Sequence, residues 1–217
     1  MQLSKKSIDQ IIAFEVTSEE VYNKKYINPT WPGGDSGVTI GIGYDLGMNN
    51  RETIIMDWTG NVNLNSVSIL SNLAGITGQK AKESLTSIVK GVIVPYSSAY
   101  NVFVNNTLPR FCKAALKVYP GLDKLNPDTQ GAIVSLVYNR GNKLTGETRT
   151  EMAELVDLIA KQDYVGIASA IARMQRIWAN KGLDGLLTRR RIESRIVLDS
   201  ISNDLAAQYL DAHSYSI

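Results

Sequence analysis

The chain of 217 residues is 44% hydrophobic, and its 23 basic and 21 acidic side chains give a formal net charge of +2. This length and composition are typical of an enzyme-sized globular protein with a hydrophobic core. The charge is too small to indicate nucleic-acid binding, although a mild positive bias suits an anionic polymer. A single cysteine, Cys112, excludes an internal disulfide framework.

The N-terminal sequence lacks the patterns of secretion and membrane insertion. No apolar core follows Lys5 and Lys6, so no signal peptide is predicted. No window approaches the roughly 18 consecutive apolar residues of a transmembrane helix. We therefore expect a protein that is made in the cytoplasm and that relies on another device to act outside it.

The first predicted element is a helix whose apolar face ends at Glu15. Ser7 and Gln10 have the spacing of a capping box, and isoleucines then recur at steps of three and four residues. A glutamate at this position either lies solvated at the edge of the apolar face or acts as an acid beside a cleft.

Residues 16–34 have the composition of an irregular loop or short strand that ends in a turn. The run from Gly33 to Gly37 is turn chemistry, in which Asp35 is most simply a turn-former. The aromatic residues of the loop either pack beneath it or stack on sugar rings: Tyr22, Tyr26 and Trp31.

Residues 37–47 alternate between apolar side chains and small or polar ones. The alternation predicts one uninterrupted strand, along which Thr39 and Asp45 project to the same side. Gly41 and Gly43 would leave that side nearly bare, so that a large ligand could come close. Asp45 could equally form a turn with the two residues that follow it, and spacing alone leaves both interpretations open.

From residue 50 onward the pattern is helical, with a bend expected near Pro109. We therefore predict an α+β chain that forms a single domain, with a small sheet lobe over about 16–48 and a larger helical lobe. The predicted helices cover residues 51–58, 64–73, 77–89, 96–118, 127–138, 150–161, 164–178 and 188–210.

Several kinds of site are excluded by residue types. His213 is the only histidine and no cysteine pair joins it, so neither a metal site nor a serine–histidine mechanism is expected. Gly41 and Gly43 lack the third glycine or the lysine of a phosphate-binding loop. We therefore predict no metal and no cofactor.

Acid–base chemistry by carboxylates remains. Glu15 on a helix and Asp45 on a facing strand match the needs of glycoside hydrolysis, in which one carboxyl protonates the leaving oxygen and another activates water. The Thr39 hydroxyl could hold that water.

Four motifs, in this order, resemble those of phage-type lysozymes, the glycoside hydrolase family 24 muramidases, and of the related pesticin-like toxins. They cover most of the chain: Phe14-Glu15, Gly37-x-Thr39-x-Gly41-x-Gly43, Leu136-Val137-Tyr138-Asn139-Arg140-Gly141, and Gly185-Leu186-x-x-Arg189-Arg190-x-x-Glu193. The resemblance implies a two-lobed lysozyme fold with a cleft between the lobes. It also implies cleavage of the β-1,4 bond after N-acetylmuramic acid in peptidoglycan, with Glu15 as general acid and Thr39 as the water-holding residue.

The second carboxylate departs from the phage pattern. Phage lysozymes commonly place an aspartate six residues before the threonine, where this chain has Gly33. Pesticin-like toxins place it six residues after, in a Gly-Tyr-Asp element similar to the one that ends at Asp45. The resemblance therefore assigns the base to Asp45, with Asp35 as the alternative.

Arg189 has more than one interpretation. In the resembled family an arginine from this region pairs with the catalytic glutamate, which places Arg189 with Gly41 and Gly43 among the substrate-side residues. Alternatively, residues 189–191 form a solvated basic helix start or a patch for the anionic wall.

The predicted function is a peptidoglycan hydrolase that inverts the anomeric centre. The alternatives are a lytic transglycosylase and a catalytically dead wall-binding scaffold. The expected setting is the periplasm, as a phage endolysin or an antibacterial effector with an immunity protein or a secretion-machine carrier. We expect a monomer, with no nucleic-acid partner.

Overall fold

The computed structural model describes the backbone of residues 1–213 and the side chains of residues 1–202. The side chain of His213 therefore lies outside the described residues. The chain divides into two compact units. The sheet unit comprises Gln10–Arg110, and the helical unit comprises Met1–Asp9 together with the chain from Phe111 onward.

Most of the chain is helical, and a small two-stranded antiparallel sheet accompanies the helices, in agreement with the predicted α+β class. Helix α1 (Lys5–Val16) runs from the helical unit into the sheet unit. The strands are β1 (Thr39–Ile40) and β2 (Tyr44–Asp45). The helices of the sheet unit are α2 (Glu19–Lys25), α3 (Arg51–Trp58), α4 (Leu64–Ser71), α5 (Gly78–Glu83), α6 (Ser87–Lys90) and α7 (Tyr96–Val102).

The remaining helices lead into and build the helical unit, whose core lies along the middle of α9. Nine consecutive residues of α9, from Thr129 to Val137, are buried. Asn126 caps its start, Pro127 occupies the first turn, and Gly141 ends it with φ 72°, so that the helix extends two residues beyond the predicted end at residue 138. The bounds are α8 (Leu108–Val118), α9 (Pro127–Arg140), α10 (Thr150–Ala160), α11 (Tyr164–Arg173) and α12 (Asp184–His213).

The predicted uninterrupted strand over residues 37–47 is wrong, because the segment folds back on itself. β1 and β2 form a hairpin in which Thr39 faces Asp45 and Ile40 faces Tyr44. The turn residues Gly41 and Gly43 have φ values of 57° and 66°, a left-handed conformation that interrupts a strand and favours glycine. The alternation of apolar residues survives because Val38, Ile40, Ile42, Tyr44 and Leu46 are all buried in the core of the sheet unit.

Several predicted helix boundaries are wrong: α11 ends at Arg173 rather than at residue 178, and α12 begins at Asp184 rather than at residue 188. Three further differences have local reasons. Ser4 rather than Ser7 caps α1, since the Ser7 amide donates to the Ser4 hydroxyl. The helix predicted over 77–89 is two helices, because Thr86 accepts from the Val89 amide and starts a new one. The helix predicted over 96–118 contains a π-helical turn, Phe103–Thr107, that ends two residues before Pro109, whose missing N–H disrupts α-helical hydrogen bonding.

Among the described residues, no helix combines the length and the apolar character that crossing a membrane requires.

Candidate functional site

A cavity of about 370 Å³ lies within the sheet unit, and two carboxylates line it. Five of the six predicted site residues line it, and all five belong to the sheet unit. The lining residues are Glu15, Val16, Tyr26, Thr30, Pro32, Thr39, Gly41, Gly43 and Asp45. The predicted acid, base and hydroxyl therefore share one cavity, although the sequence separates Glu15 from Asp45 by 30 positions.

Glu15 reaches the cavity from the last turn of α1. Ile11, Ile12 and Val16 on the same helix are buried, whereas Glu15 is half-buried. The helix is thus anchored by its apolar face, and Glu15 lies at the edge of that face, as predicted. A carboxyl at this position faces the cavity while its helix is held by the core.

Thr39 and Asp45 reach the cavity from opposite strands of the hairpin. They are direct cross-strand partners, so their side chains project to the same face of the sheet. Thr30 forms a further antiparallel bridge on the other side of Thr39, with N···O distances of 3.0 and 2.7 Å. The bridge and the hairpin place Thr30, Thr39 and Asp45 side by side on the cavity wall.

The carboxylate of Asp45 is fixed by backbone amides. The Gly37 amide donates to Oδ2 at 3.1 Å and the Gly47 amide to Oδ1 at 2.8 Å. Asp45 thereby caps the 3₁₀-helix Leu46–Met48, which confirms the turn interpretation of this residue. Each oxygen has a second lone pair, so the same carboxylate can also accept from water in the cavity.

Gly37 is required by the position of Asp45. A Cβ atom on Gly37 would lie 2.2 Å from Asp45 Oδ1 and 2.4 Å from the Gly47 nitrogen, which no real contact allows. The absence of a side chain at position 37 is therefore what lets the carboxylate reach two backbone amides. The sequence indicates a turn at this glycine but not its contact with Asp45.

Gly41 is required by the turn and by packing, rather than by a bare face alone. A Cβ atom on Gly41 would lie 2.9 Å from Cη2 of Trp58 and 3.4 Å from Cβ of Ala99. The prediction that Gly41 is small to admit a ligand is thus incomplete, because its missing side chain also makes room for Trp58. Gly41 and Gly43 still line the cavity.

The aromatic residues of the loop have different surroundings. Tyr22 is fully buried and its hydroxyl donates to the Val94 carbonyl at 2.8 Å. Trp31 lies between two cavity-lining residues, but its indole N–H donates to the Ser36 carbonyl and Lys82 lies over its ring. Tyr26 is the aromatic residue of this loop on the described cavity wall.

Asp35, the alternative base, is exposed in the turn after Gly33. It is not among the described residues that line the cavity. The geometry therefore favours Asp45 over Asp35 as the second carboxylate of this site.

Arg189 belongs to the helical unit and is 5% exposed, and Arg190 is fully buried. Nε of Arg189 donates to Glu193 Oε1 at 3.2 Å, and Nη2 donates to the Ser135 carbonyl at 3.1 Å. The interpretation of a solvated basic patch is therefore wrong for both arginines. Helical spacing puts Glu193 on their side of α12, since it follows them by four and three residues. The pairing of Arg189 with Glu15 stays a prediction.

A buried carboxylate that the sequence interpretation missed lies at Asp57, which is 1% exposed. Its oxygens accept from both terminal nitrogens of Arg110 at 2.7 and 2.5 Å, from the Tyr44 hydroxyl at 2.8 Å and from Asn106 at 2.9 Å. Burial by itself raises the pKa of Asp57, but these hydrogen bonds and the Arg110 charge bring the pKa below its ordinary value. The sequence signal that could have indicated burial of Asp57 is its position beside Trp58 on the apolar face of the predicted helix 51–58.

Within the described part of the chain, no three metal-ligating side chains form a cluster. The expected absence of a cofactor stays a prediction.

A family model described as a domain of unknown function, DUF8812, matches residues 10–191 of the chain. The match covers the whole cavity wall and the Arg189–Arg190 motif. No similar protein is found among curated ones.

Proposed function

Because the chain belongs to the DUF8812 family, whose description names no activity, we propose a function from the cavity: the protein is a muramidase. It cleaves the β-1,4 bond between N-acetylmuramic acid and N-acetylglucosamine in peptidoglycan. The observation that carries the proposal is that Glu15, Asp45 and Thr39 line the same cavity. The resemblance to phage-type and pesticin-like muramidases supports the same roles for these residues.

In the proposed mechanism Glu15 protonates the glycosidic oxygen. Asp45 accepts a proton from a water that Thr39 helps to hold, and this water attacks the opposite face of the sugar. Glu15 lies on a helix held by the core, and Asp45 is held by two backbone amides, so both groups are positioned before substrate arrives. A single displacement of this kind inverts the anomeric centre.

Tyr26 extends the proposed site. Tyr26 is half-buried in the lining of the cavity, where its flat ring can stack on a sugar, and the hydroxyl of Thr30 in the same lining can form a hydrogen bond with the sugar. A site for a polar polymer needs such surfaces more than it needs a deep apolar pocket.

The proposed fold is the two-lobed lysozyme fold, and the proposed place of action is the periplasm. The partners proposed with it are peptidoglycan and, for an effector, an immunity protein or a secretion-machine carrier.

The test is release of soluble fragments from purified Gram-negative sacculi. Glu15→Gln should reduce release at least about 100-fold, the effect typical of losing a general acid. Glu19→Gln, an exposed glutamate in the first turn of α2, is the matched control and should retain activity. Equal activity of the two variants would contradict the role of Glu15.

Asp45→Asn and Asp35→Asn form a second pair. Loss of activity in the first variant alone supports Asp45 as the base. Loss in the second alone would reassign the base to Asp35. If the wild-type protein binds bacterial sacculi but releases no soluble fragments, the function is that of a wall-binding scaffold rather than a hydrolase.

One observation favours a lytic transglycosylase as the second candidate. The hydrogen bonds that Asp45 accepts as a helix cap explain its position without a catalytic role, and a transglycosylase needs the acid but no water-directing base. Mass spectrometry distinguishes the two reactions, because hydrolysis adds water whereas transglycosylation leaves an anhydro sugar. Retained activity in Asp45→Asn together with an anhydro product would establish the second candidate.

A further inference from the structure

The buried Asp57 cluster consists of Tyr44, Asp57, Asn106 and Arg110, all within the sheet unit. Asp57 accepts four hydrogen bonds, which use both of its oxygens. Asn106 and Arg110 lie four residues apart across the end of the π-helical turn, on one side of the helix. The cluster therefore joins two helical segments and one strand of the hairpin through a single carboxylate.

Asp57 and Trp58 together contact the hairpin at two places. The hydroxyl of Tyr44 donates to Asp57, and the Tyr44 ring meets the Trp58 ring edge to face, with centroids 5.4 Å apart. Trp58 also fills the space beside Gly41 in the turn. The last two residues of α3 thus hold both β2 and the turn that leads into it.

Tyr44 and Asp45 are consecutive residues of β2, so their side chains project to opposite faces. Tyr44 is 3% exposed in the core, whereas Asp45 lines the cavity. A strand whose inner residue cannot rotate or slide cannot move its outer residue either. The hydrogen bond from the Tyr44 hydroxyl to Asp57 also fixes the orientation of the Tyr44 side chain, which packing of the ring alone does not do.

We propose that the Asp57 cluster is a positioning device for the candidate base: the link from Arg110 through Asp57 to Tyr44 fixes β2 so that Asp45 faces the cavity. The catalytic part of this inference rests on the proposed function, and the geometric part does not. Tyr44 and Asp57 are thus positioning residues that act through Asp45.

The test compares Tyr44→Phe with Tyr22→Phe. Both tyrosines are buried in the sheet unit, and both hydroxyls donate one hydrogen bond of 2.8 Å. Each variant removes a buried hydroxyl and keeps the ring, but of the two tyrosines only Tyr44 belongs to the Asp57 cluster. Because the Tyr44 hydroxyl donates to a carboxylate and the Tyr22 hydroxyl to a neutral carbonyl, the stability of each variant is measured by urea unfolding and its activity is expressed per folded molecule.

The first readout is independent of activity. The Gly37 and Gly47 amides bind the Asp45 carboxylate, so their NMR shifts and hydrogen-exchange rates report its position. We expect Tyr44→Phe to shift both signals and to speed their exchange at least about tenfold relative to Tyr22→Phe. Unchanged Gly37 and Gly47 signals in Tyr44→Phe would overturn the proposal, whether or not the protein cleaves peptidoglycan.

The second readout is kinetic. Tyr44→Phe should lower kcat on the order of 10-fold to 100-fold with KM little changed, because a displaced group costs rate more than binding. Tyr22→Phe should leave both constants unchanged. A loss of activity in both variants that follows only the folded fraction would reduce the cluster to a structural role and overturn the proposal.

Asp57→Asn is the stronger perturbation and is read by the same amide signals. If Asp57→Asn fails to fold, the comparison of Tyr44→Phe with Tyr22→Phe still tests whether the Asp57 cluster positions Asp45. A wild-type protein that releases no sugar would contradict the proposed function, while the amide comparison would still test the cluster.

Discussion

At the scale of single residues, the contact between Gly37 and Asp45 links turn chemistry to the candidate site. Gly37→Ala places a methyl group where the Asp45 carboxylate lies, 2.2 Å from Oδ1. We expect the carboxylate to be displaced and fragment release to fall on the order of 100-fold, because a shift of about 1 Å can have that effect. The stability cost should be about 1–3 kcal/mol, typical of overpacking.

Gly185→Ala is the control for this substitution, since a Cβ atom there would meet open space. It should retain activity and lose no stability. Urea unfolding measures the folded fraction of each variant, and release from sacculi measures its activity. Full activity in Gly37→Ala would mean that the position of Asp45 does not matter for the reaction.

Tyr26 gives a second prediction at this scale. If its ring stacks on a sugar, Tyr26→Ala should raise KM on the order of tenfold, equivalent to about 1.4 kcal/mol of ring contact. Tyr26→Phe keeps the ring and should keep KM. Because the ring takes no part in proton transfer, kcat should change little. A KM in Tyr26→Ala equal to that of the wild type would show that the ring does not contact substrate.

At the scale of elements, α3 is joined to the hairpin through a carboxylate whose pKa lies below its ordinary value. Burial opposes the charge of Asp57, but hydrogen bonds from Arg110, Tyr44 and Asn106 outweigh it. A depressed carboxyl pKa contributes stability that is present above the unfolded pKa and is lost as pH falls through the folded pKa. Acid should therefore destabilise the sheet unit through this group.

The corresponding prediction compares the wild type with Asp57→Asn across pH 7 to pH 2. The wild-type free energy of unfolding should fall with pH below about 4, and the variant should lose much of that dependence. At pH 7 the variant should be less stable by less than the roughly 3–5 kcal/mol of a fully buried pair, because the Arg110 side chain is 44% exposed. Parallel pH curves for the two proteins would contradict the assignment.

Helix spacing explains which element contacts were readable from sequence. The approach of Arg189 and Arg190 to Glu193 follows from steps of four and three residues on α12. The partnership of Asp57 with Tyr44 and Arg110 crosses 13 and 53 positions, and no local pattern encodes it. The contact with Glu193 is encoded in local spacing although we did not predict it, whereas the contacts of Asp57 depend on tertiary packing and have no local signal.

At the scale of the whole molecule, the α+β class and most helix positions could be predicted because periodicity and capping act over a few residues. The hairpin was missed because Gly41 and Gly43 fit both a bare strand face and a left-handed turn. Asp45 nevertheless came to the predicted side of Thr39, since a cross-strand pair and two residues six apart on one strand both share a face. The prediction held for a reason other than the one that led to it.

The stereochemistry of the reaction depends on the distance between the carboxyl groups of Glu15 and Asp45, which the fold of the sheet unit sets. A water between the two carboxyls needs a separation of roughly 6.5–9.5 Å, whereas a covalent intermediate needs about 5–5.5 Å. For a β-linked substrate, the proposed single displacement releases the α-anomer first. Proton NMR of the reducing end, recorded before mutarotation, should detect that anomer in wild-type digests. Initial release of the β-anomer would exclude inversion and would turn Asp45 from a base into a nucleophile or a bystander.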